Sequence, residues 1–317
     1  MVINMEKVKL KTKIPSFNGY VIQKIMGRNI FKLDKANKIN PIFKELTEYK
    51  YKAFELNIRL DEFDTSKIEL SNCRGYMLKN KNNSNNKIVY QLHGGAYINP
   101  ISDNICKSAV LYTKYIDSCD LFCLDYTVAS QNPYPAALDD ALEGYNYLLN
   151  NGYTNDNIII AGHSAGSGLA ISLVMLLRDK GISLPKCLIL ASPWADLSQK
   201  GLSYKYNRKK DVLFGSKRKE AINELGLPTL YSNELYNPYV SPVYGDFKSL
   251  PPMLIQCGSY EMLLSDSIAI KNKMEENGNK IKLNVYKAMW HDFYTKRDDF
   301  KEASIAWKEI SDFVKEV

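Results

Sequence analysis

Residues 157–177 read NIIIAGHSAGSGLAISLVMLL. A β-branched apolar run, Ile158 to Ile160, stops at Gly162, and an apolar periodicity through Leu169, Ile171, Leu173 and Leu176 takes over after Gly166. This predicts a strand, a sharp turn and a helix, with Gly162-His163-Ser164-Ala165-Gly166 filling the turn in the pattern G-x-S-x-G. Such a turn strains the backbone of its central residue, so the positions two before and two after it must be nearly free of side chain. Gly162 and Gly166 meet that need. The following helix points its free N–H groups back at Ser164, where a developing oxyanion would be stabilised. Ser164 is therefore the candidate nucleophile. The competing reading, an ordinary tight turn, is disfavoured by the buried-looking strand before it.

Working outward, short apolar runs alternate with helix-like stretches from about residue 68 onward, the pattern of a mostly parallel sheet covered by helices on both faces. The strand candidates are Lys87 to Leu92, Leu121 to Tyr126, Asn157 to Ala161, Cys187 to Ala191, Met253 to Cys257 and Ile281 to Tyr286. Between or after them lie helical stretches at Ala136 to Leu149, Ala165 to Arg178, Ser265 to Asn277 and Ala303 to Val317, long enough for right-handed crossovers. The Asn-rich stretch around Asn82 to Asn86 reads as a loop joining strands. Two regions break the rhythm. In the first 60 residues, Ile42, Leu46, Tyr49, Ala53 and Leu56 recur at helical spacing. From about Ser198 to Tyr239, aromatic side chains such as Tyr204, Phe214 and Tyr231 sit among charges, and such an insertion packs over a sheet edge, where it either roofs a pocket or adds to the core.

A hydroxyl nucleophile needs an oxyanion hole and a base. His93-Gly94-Gly95-Ala96-Tyr97 ends the strand KIVYQL, and two adjacent glycines let successive N–H groups converge on one point. The chain has three histidines. His163 adjoins Ser164 on the turn, so its side chain projects away from the serine's, and it is a candidate substrate contact, as is Tyr97. His93 precedes the glycines and is suited to bracing that loop. His291, in a loop after the last strand, is left as the base. A carboxylate to orient it is expected after MLIQC, where Glu261 lies nearest the strand end and is preferred; Asp266 falls where a helix should begin and can cap it.

Composition narrows the class. The chain has 317 residues, 45% hydrophobic and 24% charged, which suits one large α/β domain or two small ones and excludes disordered or collagen-like chains. No apolar run approaches the roughly 18 to 20 residues of a membrane span, and the N-terminus lacks signal-peptide features, so a cytoplasmic protein without stable membrane insertion is expected. The six cysteines are scattered without C-x-x-C and read as reduced thiols; with three histidines to share, no metal site is expected. The net charge of +7 is spread along the chain among acidic residues. It reads as a solvated surface rather than a nucleic-acid footprint.

Six blocks then act together: HGGAY from His93, DYTVASQNPYPAALDDAL from Asp125, GHSAGSG from Gly162, SPWADLS from Ser192, LPPMLIQCGSYEMLLSDS from Leu250 and MWHDFY from Met289. In order and spacing, from about residue 85 to the C-terminus, the chain resembles the hormone-sensitive-lipase family of esterases. The resemblance implies an α/β hydrolase fold with a mostly parallel eight-stranded sheet, helices on both faces and a helical cap. The cap would comprise residues 1–60 and an insertion at 198–240, with the catalytic core at 61–197 and 241–317. Carried over by position, Ser164 is the nucleophile, Glu261 the acid and His291 the base, with Gly94, Gly95 and Ala165 supplying the oxyanion hole. The chain departs from the family pattern at His163, where Asp or Thr is usual, at Ser167 in place of a second glycine, at YTVASQ from Tyr126 and at Tyr260.

The expected chemistry is hydrolysis of a small-molecule carboxylic ester through an acyl-enzyme, with no cofactor. Tyr97 and the cap aromatics would limit the acyl group to short or medium chains. The same machinery would equally open a lactone or remove an acetyl group. An unperturbed imidazole titrates near about 6.5, so activity is expected to rise through roughly neutral pH. The edge strand IKLNVY leaves a homodimer open.

Overall fold

A sheet buried on both faces must send alternate residues into two separate cores, and the central strands here do so. The computed structural model describes residues 10–12, 14–35, 61–215 and 231–317. Its strands are β1 (Phe63–Glu69), β2 (Arg74–Asn80), β3 (Ile88–Leu92), β4 (Asp120–Asp125), β5 (Ile158–His163), β6 (Cys187–Ala191), β7 (Met253–Gly258) and β8 (Ile281–Tyr286). The described helices are α1 (Phe17–Lys35), α2 (Asp103–Tyr115), α3 (Ala136–Asn150), α4 (Ala165–Asp179), α5 (Leu202–Tyr206), α6 (Leu264–Glu276) and α7 (Lys301–Glu316). Ile88, Tyr90, Leu92, Ile158, Ile160, Leu188 and Leu190 face one core with α3, α4 and part of α6. Val89, Ile159, Ala161 and Ile189 face the other with α2 and α7.

The eight strands form one sheet in the order β1-β2-β4-β3-β5-β6-β7-β8. β1 pairs antiparallel with β2 and β2 with β4, and every later neighbour is parallel. The fold is the α/β hydrolase architecture that the motif blocks implied. Between β3 and β5 the chain's progression across the sheet reverses, so the loops leaving Leu92 and His163 diverge and open a crevice at the carboxyl ends of adjacent strands. The glycine loop and the serine turn both lie there.

The six strands read from periodicity are present within two residues at each end, and the four helices likewise. The β1–β2 hairpin carried no such signal, because β1 exposes most of its residues and so shows no apolar alternation, while β2 is buried almost throughout. The helix expected across Ile42 to Leu56 lies outside the described residues, as does part of the 198–240 insertion. α1 starts at Phe17 and is anchored by Ser16, whose N–H and Oγ each donate to the buried Glu302 carboxylate of α7 at 2.5 Å.

The β8 edge is partly taken by the chain itself. Leu10 bridges Val285, Lys11 N donates to the Val285 carbonyl at 2.7 Å, and Lys287 N donates to Thr12 Oγ1 at 3.0 Å. All six cysteines are free thiols, five of them buried. No described helix is long and apolar enough to cross a membrane.

Candidate active site

Ser164 sits at φ 55°, ψ −122°, between the last residue of β5 and the first of α4. That conformation costs a serine on the order of 1–3 kcal/mol and persists because its surroundings over-determine it. Ser164 N donates to the Ala191 carbonyl at 2.9 Å, Trp194 N donates to the Ser164 carbonyl at 3.1 Å, and Ser167 Oγ also donates to Ala191 O at 2.9 Å. Ser167, unexpected in place of glycine, thus helps to brace the turn. A Cβ on Gly162 would lie 2.5 Å from the Gly166 carbonyl, and one on Gly166 would run into the carbonyls of Leu92 and His93. Both glycines are required by space.

The loop after β8 brings His291 to the same crevice. Its Nδ1–H donates to Glu261 Oε2 at 3.2 Å. Glu261 is fully buried, and its other oxygen accepts from Ser192 Oγ at 2.9 Å and from the Gly258 amide. Asp266 has a different position: it accepts from the Ala195 and Asp196 amides, both at 2.9 Å, and from the Tyr204 hydroxyl at 3.1 Å. It pins the segment after β6 and makes no hydrogen bond to His291. The far nitrogen of His291, Nε2, is buried without a hydrogen-bond partner among the described residues. It and Ser164 line one cavity of about 1090 Å³, walled by Ile22 and Met26 of α1, Ile98, Leu213, Phe214 and Trp290.

Charge around His291 is lopsided. Burial alone would push the imidazole down, but Asp292, Glu261 and Asp211 outweigh it and raise it to about 9. Burial raises the Glu261 carboxyl, opposed by the His291 it faces. The imidazole thus holds a proton more firmly than an ordinary histidine, which moves the expected neutral-pH onset of activity upward. His93 is the opposite case, since burial drops it to about 4. Its Nδ1–H donates to the Gly94 carbonyl at 2.7 Å and its ring stacks on Tyr126 at 4.1 Å, so it braces the loop as its place before the glycines suggested.

Two sequence expectations change. The Gly94 N–H donates to His163 Nε2 at 3.0 Å, so this amide is already engaged by the protein. The N–H groups of Gly95 and Ala165 have no acceptor among the described residues. Tyr97 is 2% exposed and stacked on Tyr231 at 3.8 Å, and it is not among the residues that line the cavity. His163 does line the cavity, but both of its ring nitrogens are bonded, Nε2 to Gly94 and Nδ1 to Asp292.

A family model described as an alpha/beta hydrolase fold matches residues 89–295. An esterase of Acinetobacter venetianus is 32% identical over 248 residues, spanning 78% of this chain and 80% of that protein. An acetyl-hydrolase of Streptomyces hygroscopicus is 30% identical over 226 residues, spanning 71% and 73%. The crystal structure of a hormone-sensitive lipase from a metagenome library is 29% identical, with a TM-score of 0.78 and coverage of 94% of this chain and 98% of that one. This chain belongs to the hormone-sensitive-lipase family of α/β hydrolases.

In this hormone-sensitive-lipase-family hydrolase, sequence reasoning missed two side chains. Ser192 donates to Glu261 and accepts from the Asp292 amide at 3.0 Å, joining the acid to the histidine loop. Asp292 lies with its Oδ2 3.5 Å from His291 Nε2 and 3.1 Å from His163 Nδ1. Both residues have positive φ, 46° and 57°. Their only sequence trace is position, since Ser192 opens the SPW block and Asp292 follows the candidate base.

Proposed function

We propose that this hydrolase is a serine carboxylesterase acting through an acyl-enzyme. The observation that carries the reading is the meeting of a strained serine at a helix N-terminus with an acid-oriented imidazole whose Nε2 has no hydrogen-bond partner among the described residues and lines the same cavity. Ser164 Oγ transfers its proton to His291 Nε2 and attacks the ester carbonyl. The oxyanion accepts hydrogen bonds from the N–H groups of Gly95 and Ala165, while Glu261 holds the imidazole in the Nδ1–H tautomer and stabilises the imidazolium. The alcohol leaves with the proton from His291, and water repeats the sequence on the acyl-enzyme. No step calls on a metal or an organic cofactor. With Tyr97 outside the cavity lining, the acyl side would be bounded by Ile98, Phe214 and Leu263 instead.

Removal of an acetyl group from a small molecule uses the same residues, and two relatives named as acetyl-hydrolases favour keeping it beside the broader reading. One experiment addresses both. Hydrolysis of p-nitrophenyl esters from acetate to laurate is compared for wild type and Ser164→Ala, with a fluorophosphonate probe to label the nucleophile. The expected result is turnover of short and medium esters, loss of roughly 10⁴-fold or more in the variant, and labelling of Ser164 alone. Turnover confined to acetate favours deacetylation. Equal activity in the two proteins refutes the mechanism.

A further inference from the structure

The loop bearing the candidate oxyanion donors follows β3 and the loop bearing the candidate base follows β8, yet they meet through one bridge. The Gly94 amide donates to His163 Nε2 at 3.0 Å, and His163 Nδ1 stands 3.1 Å from Asp292 Oδ2. Because Nε2 accepts a hydrogen bond from an amide, it carries no proton. The proton is on Nδ1 and points at the carboxylate, so the geometry selects one neutral tautomer. The imidazole also packs directly on the glycine, for a Cβ on Gly94 would fall 2.6 Å from His163 Nδ1. Asp292 is held in turn, its own amide donating to Ser192 Oγ at 3.0 Å with φ at 57°. Its second oxygen, Oδ1, is buried without a hydrogen-bond partner among the described residues.

We infer that His163 and Asp292 are a positioning pair: the imidazole holds the Gly94 amide so that the N–H of Gly95 faces Ser164, and the carboxylate ties that imidazole to the His291 loop. The inference rests on the serine-esterase reading of the site and adds to it two residues that act through others, His163 on the Gly94 amide and Asp292 on the His163 imidazole. An engaged Gly94 amide thereby becomes a support for the hole instead of a donor in it. Asp292 has a second effect. Its Oδ2 is 3.5 Å from His291 Nε2, so its charge favours the protonated base. The groups facing His291 are Glu261, Asp292 and Asp211, with the Phe214 ring edge-on at 4.4 Å; those facing Asp292 are His163, His291 and Lys296.

The pair makes separable predictions. In His163→Ala the loop loses its anchor in the transition state, so kcat falls about 100-fold with KM within about twofold. His163→Gln offers an amide oxygen to Gly94 and an N–H to Asp292, and it recovers activity to within about tenfold of wild type. Asp292→Ala behaves like His163→Ala, and the double variant is no worse than either single one, because both act through one bridge. Asp292→Asn keeps an acceptor for His163 but loses the charge, so it loses less kcat than Asp292→Ala and the acid limb of kcat/KM moves to lower pH.

The assay is the pH dependence of p-nitrophenyl acetate hydrolysis by the 317-residue chain, with fluorophosphonate labelling of Ser164 in parallel. If His163→Ala fails to fold, the His163→Gln kinetics and the Asp292→Asn limb still decide. The pair is refuted if single losses multiply in the double variant, if His163→Ala keeps its kcat, or if the Asp292→Asn limb stays in place. A wild type that neither hydrolyses esters nor is labelled at Ser164 overturns the esterase reading as well. A labelled, active wild type with unaffected variants overturns this inference alone.

Discussion

Ser192 offers a sharp test of how the acid is supported. It is fully buried, it donates to Glu261 Oε1 at 2.9 Å, and it accepts from Asp292 N at 3.0 Å. Ser192→Ala removes one charge-assisted hydrogen bond and leaves the Asp292 amide without its acceptor. A bond to a charged group contributes about 1.5–3 kcal/mol and an orphaned buried donor costs about 1–3 kcal/mol. Allowing for relaxation, a loss of about 2–4 kcal/mol of stability is expected, a fall in Tm of roughly 3–6 °C in a chain of this length. The same change loosens the carboxylate that orients His291, and kcat/KM for p-nitrophenyl acetate should drop about tenfold, equivalent to about 1.4 kcal/mol. Ser172 supplies the control: it is 1% exposed in α4, and its Oγ has no hydrogen-bond partner among the described residues. Ser172→Ala deletes the same atom from an equally buried site and should shift stability by less than about 0.5 kcal/mol. Calorimetric melts and steady-state kinetics on the two variants decide the matter. Equal Tm values, or full activity in Ser192→Ala, would show that the bridge from Glu261 to Asp292 contributes nothing.

Other consequences follow from the same geometry. With His291 raised to about 9, kcat/KM should climb as pH passes from 7 toward 9 and the base loses its proton; an acid limb centred at or below 6.5 contradicts the carboxylate cluster around it. Glu261→Gln should keep the fold but lower kcat by roughly 10⁴-fold, as expected when the imidazole loses its orienting carboxylate. Asp266→Asn should instead lower Tm while leaving the pH profile unchanged, because Asp266 holds Ala195, Asp196 and Tyr204 rather than His291. Gly166→Ala should cost more than about 3 kcal/mol or prevent folding, since the new methyl group meets the Leu92 carbonyl at the end of β3 and the His93 carbonyl next to it, backbone that cannot easily retreat; a soluble variant with wild-type Tm would refute the tight approach of α4 to β3.

Where a constraint is local, it was written in neighbouring residues. The serine turn needs small side chains two positions away on either side, and Gly162 and Gly166 announce it; buried strands need short, mostly apolar runs, and β3 to β7 announce themselves in the same way. The glycine loop and the order of serine, acid and histidine were legible for the same reason, helped by the motif blocks. The exposed β1 left no trace in periodicity because neither of its faces is consistently buried. The bonds that finish the site depend on where distant loops end. His291 meets Glu261 across 30 residues, Gly94 meets His163 across 69, and Ser192 meets Asp292 across 100. Whether Gly94 points its amide at a substrate or at an imidazole, and which of two nearby carboxylates receives His291, is set by strand register and loop path. Hydrogen bonds are satisfied by whatever the fold brings within about 3 Å, and that proximity exists only once the sheet has closed.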